Sequence, residues 1–458
     1  MSETFTIPRR VLSKVKGDDR PVHLVLIATK PDIIKQAPLI LELKRREENL
    51  LIVHSGQHYD WNLSKGLEHE FDIDPDVNLD VRGATLYDQQ AQIIARFGAL
   101  IDRLKRINRK IIPYTYSDTT TAVAGGVASF ANRIATVHVE AGLRTMSPPR
   151  RLLMGLHKGR DVVSYYQESK DRLGWEKGSY EPYPEQFDSR ASAPSAGIHL
   201  VSTELNRQNL LAEGYDKHRI AVVGNPVADA ISLAKKRSAE SGIVEQLPRL
   251  AEGNFIRVCI HRRENVTSRH RFTSLIQAVE QLVLDGRNVL LISLGATEKA
   301  LKEYGWKLRI TKLAKQHPNF IYSPVWPSYI DVIASMQQTS VIATDSGSIQ
   351  EEANVMGIPL VTLRFNTDRP ESVFAGGNII APPMTSDVVH RVIREVHDNE
   401  RLRSCMLLTR NIYGRNVGKK MVDVVSRIVS AGPLFDWLEH YRLGLTKLDF
   451  WEEEEIEW

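Results

Sequence analysis

The chain has 458 residues, 60 Lys+Arg against 56 Asp+Glu, a net charge of +4 and two cysteines. With 42% apolar and 25% charged residues it has the make-up of a folded protein of roughly two to three domains, which excludes disorder along its whole length. The charge balance is too even to mark a nucleic-acid or membrane-surface binder, no stretch reaches the roughly 20 apolar residues of a membrane helix, and Cys259 and Cys405 offer no disulfide framework.

Residues 1–20 read as a polar arm without the continuous apolar run of a secretory signal, as expected of a cytoplasmic protein. The first regular element is VHLVLIA from Val22, a short unbroken apolar run that predicts a buried parallel strand. A helical pattern follows in KPDIIKQAPLILELKRR, then a second strand in LLIVHSG. Over residues 88–107, Ile93, Ile94, Phe97, Leu100, Ile101 and Leu104 fall on one face of an amphipathic helix. KIIPYTY, a helix from Thr119 and IATVHVE continue the alternation. This rhythm predicts a doubly wound α/β sheet with ligands at the carboxyl ends of its strands.

The rhythm breaks after Thr145, where residues 149–181, rich in Arg, Lys, Tyr and Ser, read as a polar insertion. It resumes at IHLVS, and the turn at Gly224–Pro226 marks a domain boundary. A second α/β set then runs through IRVCI, NVLLISL, FIYSP, SVIAT and PLVTL. The expectation is therefore two Rossmann-like domains, 21–226 carrying the insertion and 227–410, facing a central cleft. One internal echo stands out: YSDTTTAVAGG and ATDSGSIQEEA each put Asp and small hydroxyl or glycine residues directly after a strand. Helix capping accounts for either copy alone; two copies point to a phosphate-bearing ligand.

In the second copy, Ser346, Gly347 and Ser348 sit where backbone N–H groups and a helix dipole face an anion. Glu352 suits both hydroxyls of a ribose, or else Glu351 and Glu352 are first-turn acids complementing the dipole. His261, Arg262 and Arg263 follow the strand IRVCI and form a cationic shelf for phosphate oxygens. In the first half, alternation puts His138 and Glu140 on one side of their strand. Asp118, Glu140 and Glu185 are candidates for an acid/base group, since clustered carboxylates push their pKa values apart. His54, His58, His138 and His261 form no metal motif such as HExxH, so no metal is expected.

Taken in order, SDTTTA, HVEAGLRT, GNPVADA, HRREN and TDSGSIQEEA resemble the UDP-N-acetylglucosamine 2-epimerase family of the GT-B fold. SGQH, RPES at 369–372 and NIYG at 411–414 extend the likeness from about Val22 to about Ala431, the insertion apart. The resemblance implies a reaction at sugar C2: anti elimination of UDP to a 2-acetamidoglucal, then re-addition with protonation on the other face, without nicotinamide, metal or other cofactor. It implies acid/base roles for Asp118, Glu140 and Glu185 and a UDP contact through the catalytic His261. Diphosphate contacts fall to Ser346, Gly347 and Ser348, with Arg262, Arg369 and Lys30 on the nucleotide and Glu352 on the ribose. Gln57 and His58 match the segment through which non-hydrolysing members sense a second UDP-sugar. A crossover helix at 411–432, returning to the first domain, and a tail at 433–458 complete the chain.

The chain departs from the family pattern in several places: Lys30 stands in place of an arginine, Ser117 in place of a glycine, Ser348 in place of the second glycine of its loop, PEQFDSR changes the neighbours of Glu185, and the insertion 149–181 is the largest departure. The leading expectation is a non-hydrolysing, homodimeric epimerase that interconverts UDP-N-acetylglucosamine and UDP-N-acetylmannosamine for surface-polysaccharide precursors. The alternatives are a hydrolysing relative that releases N-acetylmannosamine, a GT-B glycosyltransferase, an epimerase of a related UDP-sugar, and a nucleotide-sugar sensor that does not turn over.

Overall fold

The computed structural model describes residues 7–56, 66–108, 110–409 and 411–431. Its apolar runs form the expected strands β1 Val22–Ile27, β2 Leu50–His54, β4 Ile111–Tyr116 and β5 Thr136–Ala141, and a two-residue strand, β3 Val77–Asn78, is added to them. After the short β6 Met146–Ser147 and β7 Glu176–Lys177 come β8 Ala196–Val201, β9 Ile220–Val222 and β10 Phe255–Cys259. β11 Val289–Ser293, β12 Phe320–Pro324, β13 Thr339–Thr344, β14 Leu360–Thr362 and β15 Asn378–Ile380 complete the set. Two parallel sheets result, ordered β3-β2-β1-β4-β5-β8-β9 and β12-β11-β10-β13-β14-β15, with β6 and β7 as a separate antiparallel pair. In each sheet the strand order reverses beside the first strand, the switch point where doubly wound folds bind ligands.

The chain divides into two compact units. Unit 1 comprises 1–143, 187–230 and 414–458, and unit 2 comprises 144–186 and 231–413. The core of unit 1 packs Val22, Leu24 and Leu26 of β1 against Ile93, Phe97, Leu100, Ile101 and Leu104 of the helix Leu86–Lys105. Thr85 caps that helix by accepting the amide of Asp88. The helix Val417–Ala431 belongs to unit 1, where it packs on the helix Lys30–Arg45.

Two expectations need correction. Residues 149–181 are no polar addition to the first domain. They form the helices Arg150–His157 and Val162–Ser169, whose Leu152, Leu156, Val162, Tyr165 and Tyr166 join the core of unit 2. Both tyrosine hydroxyls donate to backbone carbonyls there, Tyr165 to Ile380 (3.0 Å) and Tyr166 to Gly376 (2.8 Å). The N-terminal arm likewise carries a helix, Arg9–Lys16, with Val11 and Val15 buried in the core of unit 1. In each case a few apolar residues at helical spacing lie among many cations, so composition conceals the face that docks. The tail 433–458 lies outside the described residues.

Candidate active site

In unit 1 the site is built at the carboxyl ends of β1, β4 and β5. Glu140 ends β5 in a left-handed conformation (φ 59°), and the pairing with β8 shifts register between Val139 and Ala141. Such a bulge re-aims its side chain, so strand alternation does not govern Glu140. The carboxylate is buried and takes the ammonium of Lys35 at 2.9 Å, Asn225 Nδ2 at 2.7 Å and the hydroxyl of Tyr116. Lys35 is itself 1% exposed and comes from the helix Lys30–Arg45. A buried carboxylate needs such company, because desolvation without a partner costs several kcal/mol per ion. Lys35, Tyr116 and Asn225 went unnoticed in the sequence. Their only local signal was proximity to the KPD, SDTTTA and GNP turns.

Asp118 lies half-buried in the turn after β4, where Ser117 Oγ is 3.1 Å from its Oδ1. Ser117 adopts φ 53°, so it holds the left-handed backbone that a glycine favours even though a serine stands there. His138 supports this turn from β5, its Nε2 2.7 Å from the Ser117 carbonyl oxygen. Lys30 opens the helix after β1 and is half-buried. Gln57 and His58 lie outside the described residues.

In unit 2 the organiser is Asp345, which the sequence reading passed over beside its serines. It is fully buried and accepts the backbone amides of His261 (3.0 Å) and Arg262 (3.0 Å), the side-chain amide of Asn265 (3.0 Å) and His261 Nδ1 (3.2 Å). Burial would lower the imidazole's pKa, but the charge and hydrogen bond of Asp345 raise it to about 10. His261, 27% exposed, is therefore a fixed cation at neutral pH. Although burial works against it, the same pairing holds the Asp345 carboxyl below its ordinary value.

Ser346 caps the helix Gly347–Met356, its hydroxyl accepting the amide of Ile349. At Gly347 a Cβ would lie 3.0 Å from Asp368 Oδ2, 3.4 Å from Arg262 Nη2 and 3.6 Å from Arg369 Cζ. A side chain here would crowd the Asp368 carboxylate, and the guanidiniums of Arg262 and Arg369 stand at contact distance from the first turn, next to Ser348. Arg369 pairs with Glu351 and, at 3.1 Å, with Asp368, which also binds Arg364 at 2.7 Å. Neither Glu351 nor Glu352 lies in the first turn, so the dipole reading of these acids fails. Glu351 anchors Arg369, and Glu352 accepts the hydroxyl of Tyr329 at 3.2 Å. Arg262 also ion-pairs with Glu185, whose side chain is 25% exposed and opens the helix Glu185–Ser192.

Asp118 and Glu140 are thus brought to neighbouring strand ends of unit 1. Glu185, His261, Arg262, Ser346, Gly347, Ser348, Glu352 and Arg369 belong to unit 2. The carboxylates Asp118, Glu140 and Glu185 are groups that can exchange protons with a carbon acid, and the cations His261, Arg262 and Arg369 near the helix start at Ser346–Ser348 can hold the oxygens of a departing diphosphate. Among the described residues no group of three or more His, Cys, Asp or Glu could hold a metal ion, and no helix is long and apolar enough to cross a membrane.

The chain is similar to known proteins. Residues 41–149 and 176–426 match the family profile described as UDP-N-acetylglucosamine 2-epimerase. The UDP-N-acetylglucosamine 2-epimerase of Methanocaldococcus jannaschii is 27% identical over 78% of this chain and 87% of its own. The UDP-2,3-diacetamido-2,3-dideoxy-D-glucuronate 2-epimerase of Pseudomonas aeruginosa is 26% identical over 78% of this chain and 87% of its own. A crystal structure of the Methanocaldococcus enzyme in complex with UDP-GlcNAc and UDP has the same GT-B fold, with a TM-score of 0.71 and 23% identity over 89% of this chain and 99% of that one. The profile covers well over half of the chain, and the chain belongs to the UDP-N-acetylglucosamine 2-epimerase family.

Proposed function

We propose that the protein is a non-hydrolysing UDP-N-acetylglucosamine 2-epimerase, interconverting that sugar nucleotide with UDP-N-acetylmannosamine. One observation carries most weight: Gly347 admits the guanidiniums of Arg262 and Arg369 to a helix start beside the cationic His261. That is a receptor for a leaving group with several negative oxygens. In the first step a carboxylate takes the C2 proton, the C1–O bond breaks and UDP departs with its electron pair, leaving a C1=C2 double bond. In the second, UDP oxygen re-forms the C1–O bond while a carboxyl proton adds to C2 on the opposite face. Asp118, Glu140 and Glu185 are the groups proposed for these transfers, and Glu352 is proposed to hold the ribose hydroxyls. Lys30 and Ser348 are proposed to lie along the nucleotide, and Gln57 and His58 to sense a second UDP-sugar. We read the protein as a cytoplasmic homodimer, which sedimentation of the purified protein tests.

The deciding experiment is NMR in D2O with UDP-N-acetylglucosamine, with product analysis. Deuterium at C2 with the sugar still on UDP is the expected result. Free N-acetylmannosamine plus UDP would replace this reading by the hydrolysing one. The Pseudomonas relative favours a second assay with the diacetamido-glucuronate nucleotide. Exchange with that substrate alone would reassign the sugar and keep the chemistry.

A further inference from the structure

Beside Asp118 lies a second carboxyl that the reaction above does not use. Asp32, in the first turn of the helix Lys30–Arg45, is 1% exposed. Its Oδ2 accepts the amide of Thr29 at 3.0 Å, as a helix cap does, while its buried Oδ1 has no hydrogen-bond partner among the described residues. The register locates it. β1 and β4 pair in parallel, Val22 with Ile111 and Val25 with Tyr114, and they end together at Ile27 and Tyr116. Thr29 and Asp118 each stand in the turn that follows one of these paired strands, Asp118 after the left-handed Ser117. The Asp32 carboxyl is hydrogen-bonded to Thr29 and feels the charge of Asp118, which sets both acids at the switch point between β1 and β4.

We propose that Asp32 and Asp118 form a carboxyl pair in which Asp32 is the member that holds a proton, making Asp32 a positioning residue that sets the charge state of Asp118. Two neighbouring carboxylates in one poorly hydrated corner do not both ionise readily, and the more buried member retains the proton. Burial, followed at a distance by the charge of Asp118, raises Asp32 to about 7, while hydrogen bonds from Thr29 act in the opposite direction. The other charged groups of this edge are Lys30, the Lys35–Glu140 pair and, beyond β1, the His54–Glu68 pair at 3.5 Å. With Asp32 neutral, Asp118 ionises without a facing negative charge and can accept a proton.

The catalytic consequence rests on the epimerase reading, so the test has one arm without substrate. Carbon-13 NMR of labelled aspartate carboxyls should show Asp32 titrating near 7 in the wild-type protein. In Asp118→Asn that midpoint should fall by roughly half a unit or more as the facing charge disappears. An Asp32 midpoint near the ordinary carboxyl value, or one unmoved in Asp118→Asn, would overturn the pair. In the second arm, the pH profile of C2 exchange should lose an ionisation near 7 in Asp32→Asn, which can still cap Thr29, and keep it in Glu371→Gln, which removes a buried carboxyl of unit 2 that burial likewise raises to about 7. Retention of the wild-type profile in Asp32→Asn would remove its bearing on catalysis. If no UDP-sugar exchanges at all, the epimerase reading falls while the NMR arm still decides the pair.

Discussion

The turns after β4 and β13 have nearly the same sequence recipe, an aspartate among small hydroxyl residues, and they do opposite things with it. After β13, Asp345 faces inward. Four hydrogen-bond donors close on it, and the result is a rigid shelf that presents His261 and Arg262. After β4, the left-handed Ser117 turns the chain one residue before the acid, and Asp118 is left half-buried at the strand ends, able to meet a substrate. Both turns use their next hydroxyl to cap a helix, Thr119 on Ala122 and Ser346 on Ile349. The difference lies in what stands opposite. The shelf aspartate has backbone amides of an adjoining strand end to bind, and the exposed one has another carboxyl. A motif at a strand end therefore specifies a position, and the neighbouring strand specifies its chemistry.

The comparison can be broken at either turn. The largest effect is expected at Glu140, next to the Asp118 turn: Glu140→Gln should slow C2 exchange by about 10²–10⁴-fold. UDP affinity, measured by calorimetry, should stay within a few-fold of wild type; a parallel loss of UDP binding would assign Glu140 to the nucleotide. The variant should also melt earlier, because Lys35 then keeps a buried charge without its carboxylate.

Asp345→Asn attacks the shelf. Removing one partner of a buried, hydrogen-bonded charge pair costs about 3–5 kcal/mol, and the histidine should lose its elevated pKa. With His261 raised to about 10 in the folded protein, its contribution to stability is complete below about 6.5, its unfolded value, and disappears as pH rises through about 10. Histidine NMR together with thermal melting across pH 6–11 checks both signs. Ordinary titration of His261 in the wild type would refute the shelf.

Gly347→Ala tests the approach of the guanidiniums. A methyl 3.0 Å from Asp368 Oδ2 must push the shelf residues back, and overpacking of about 1–3 kcal/mol should weaken UDP binding by roughly tenfold. Unchanged affinity would place the diphosphate elsewhere. The smallest effect belongs to Ser117→Gly. Relief of the left-handed serine, about 1–2 kcal/mol, is offset by about 0.4–1 kcal/mol from the freer unfolded chain. A rise in Tm of a degree or two is expected, with activity near wild type; destabilisation would mean that the hydroxyl of Ser117 holds the turn.

Much of this could be read from the chain because strands buried on both faces announce themselves. The runs at Val22, Leu50, Ile111, Thr136, Phe255 and Val289 are short and mostly apolar, and each proved to be a parallel strand. The helix Leu86–Lys105 was equally plain, since its core face recurs over several turns. The helices Arg9–Lys16, Arg150–His157 and Val162–Ser169 were not: at eight residues each they show at most two turns of periodicity. Their helicity is secured by docking, through Tyr165 and Tyr166 on unit 2 and Val11 and Val15 on unit 1. In the site the same division holds. Acids and glycines at strand ends were visible, but the groups around them were distant in sequence: Lys35 lies 105 residues from Glu140 and Asn225 lies 85.

By itself the sequence determined the α/β plan, the family and which strand ends carry acids, cations and glycines, because these depend on short-range patterns of burial and turn chemistry. Only the tertiary structure decided what each group is. Glu140 is an ion-paired carboxylate, His261 a cation at neutral pH and Asp32 an acid whose pKa burial raises, because ionisation answers to desolvation and to charges brought together through space. The segment 144–186 likewise had to find its core before it could be assigned to the second unit.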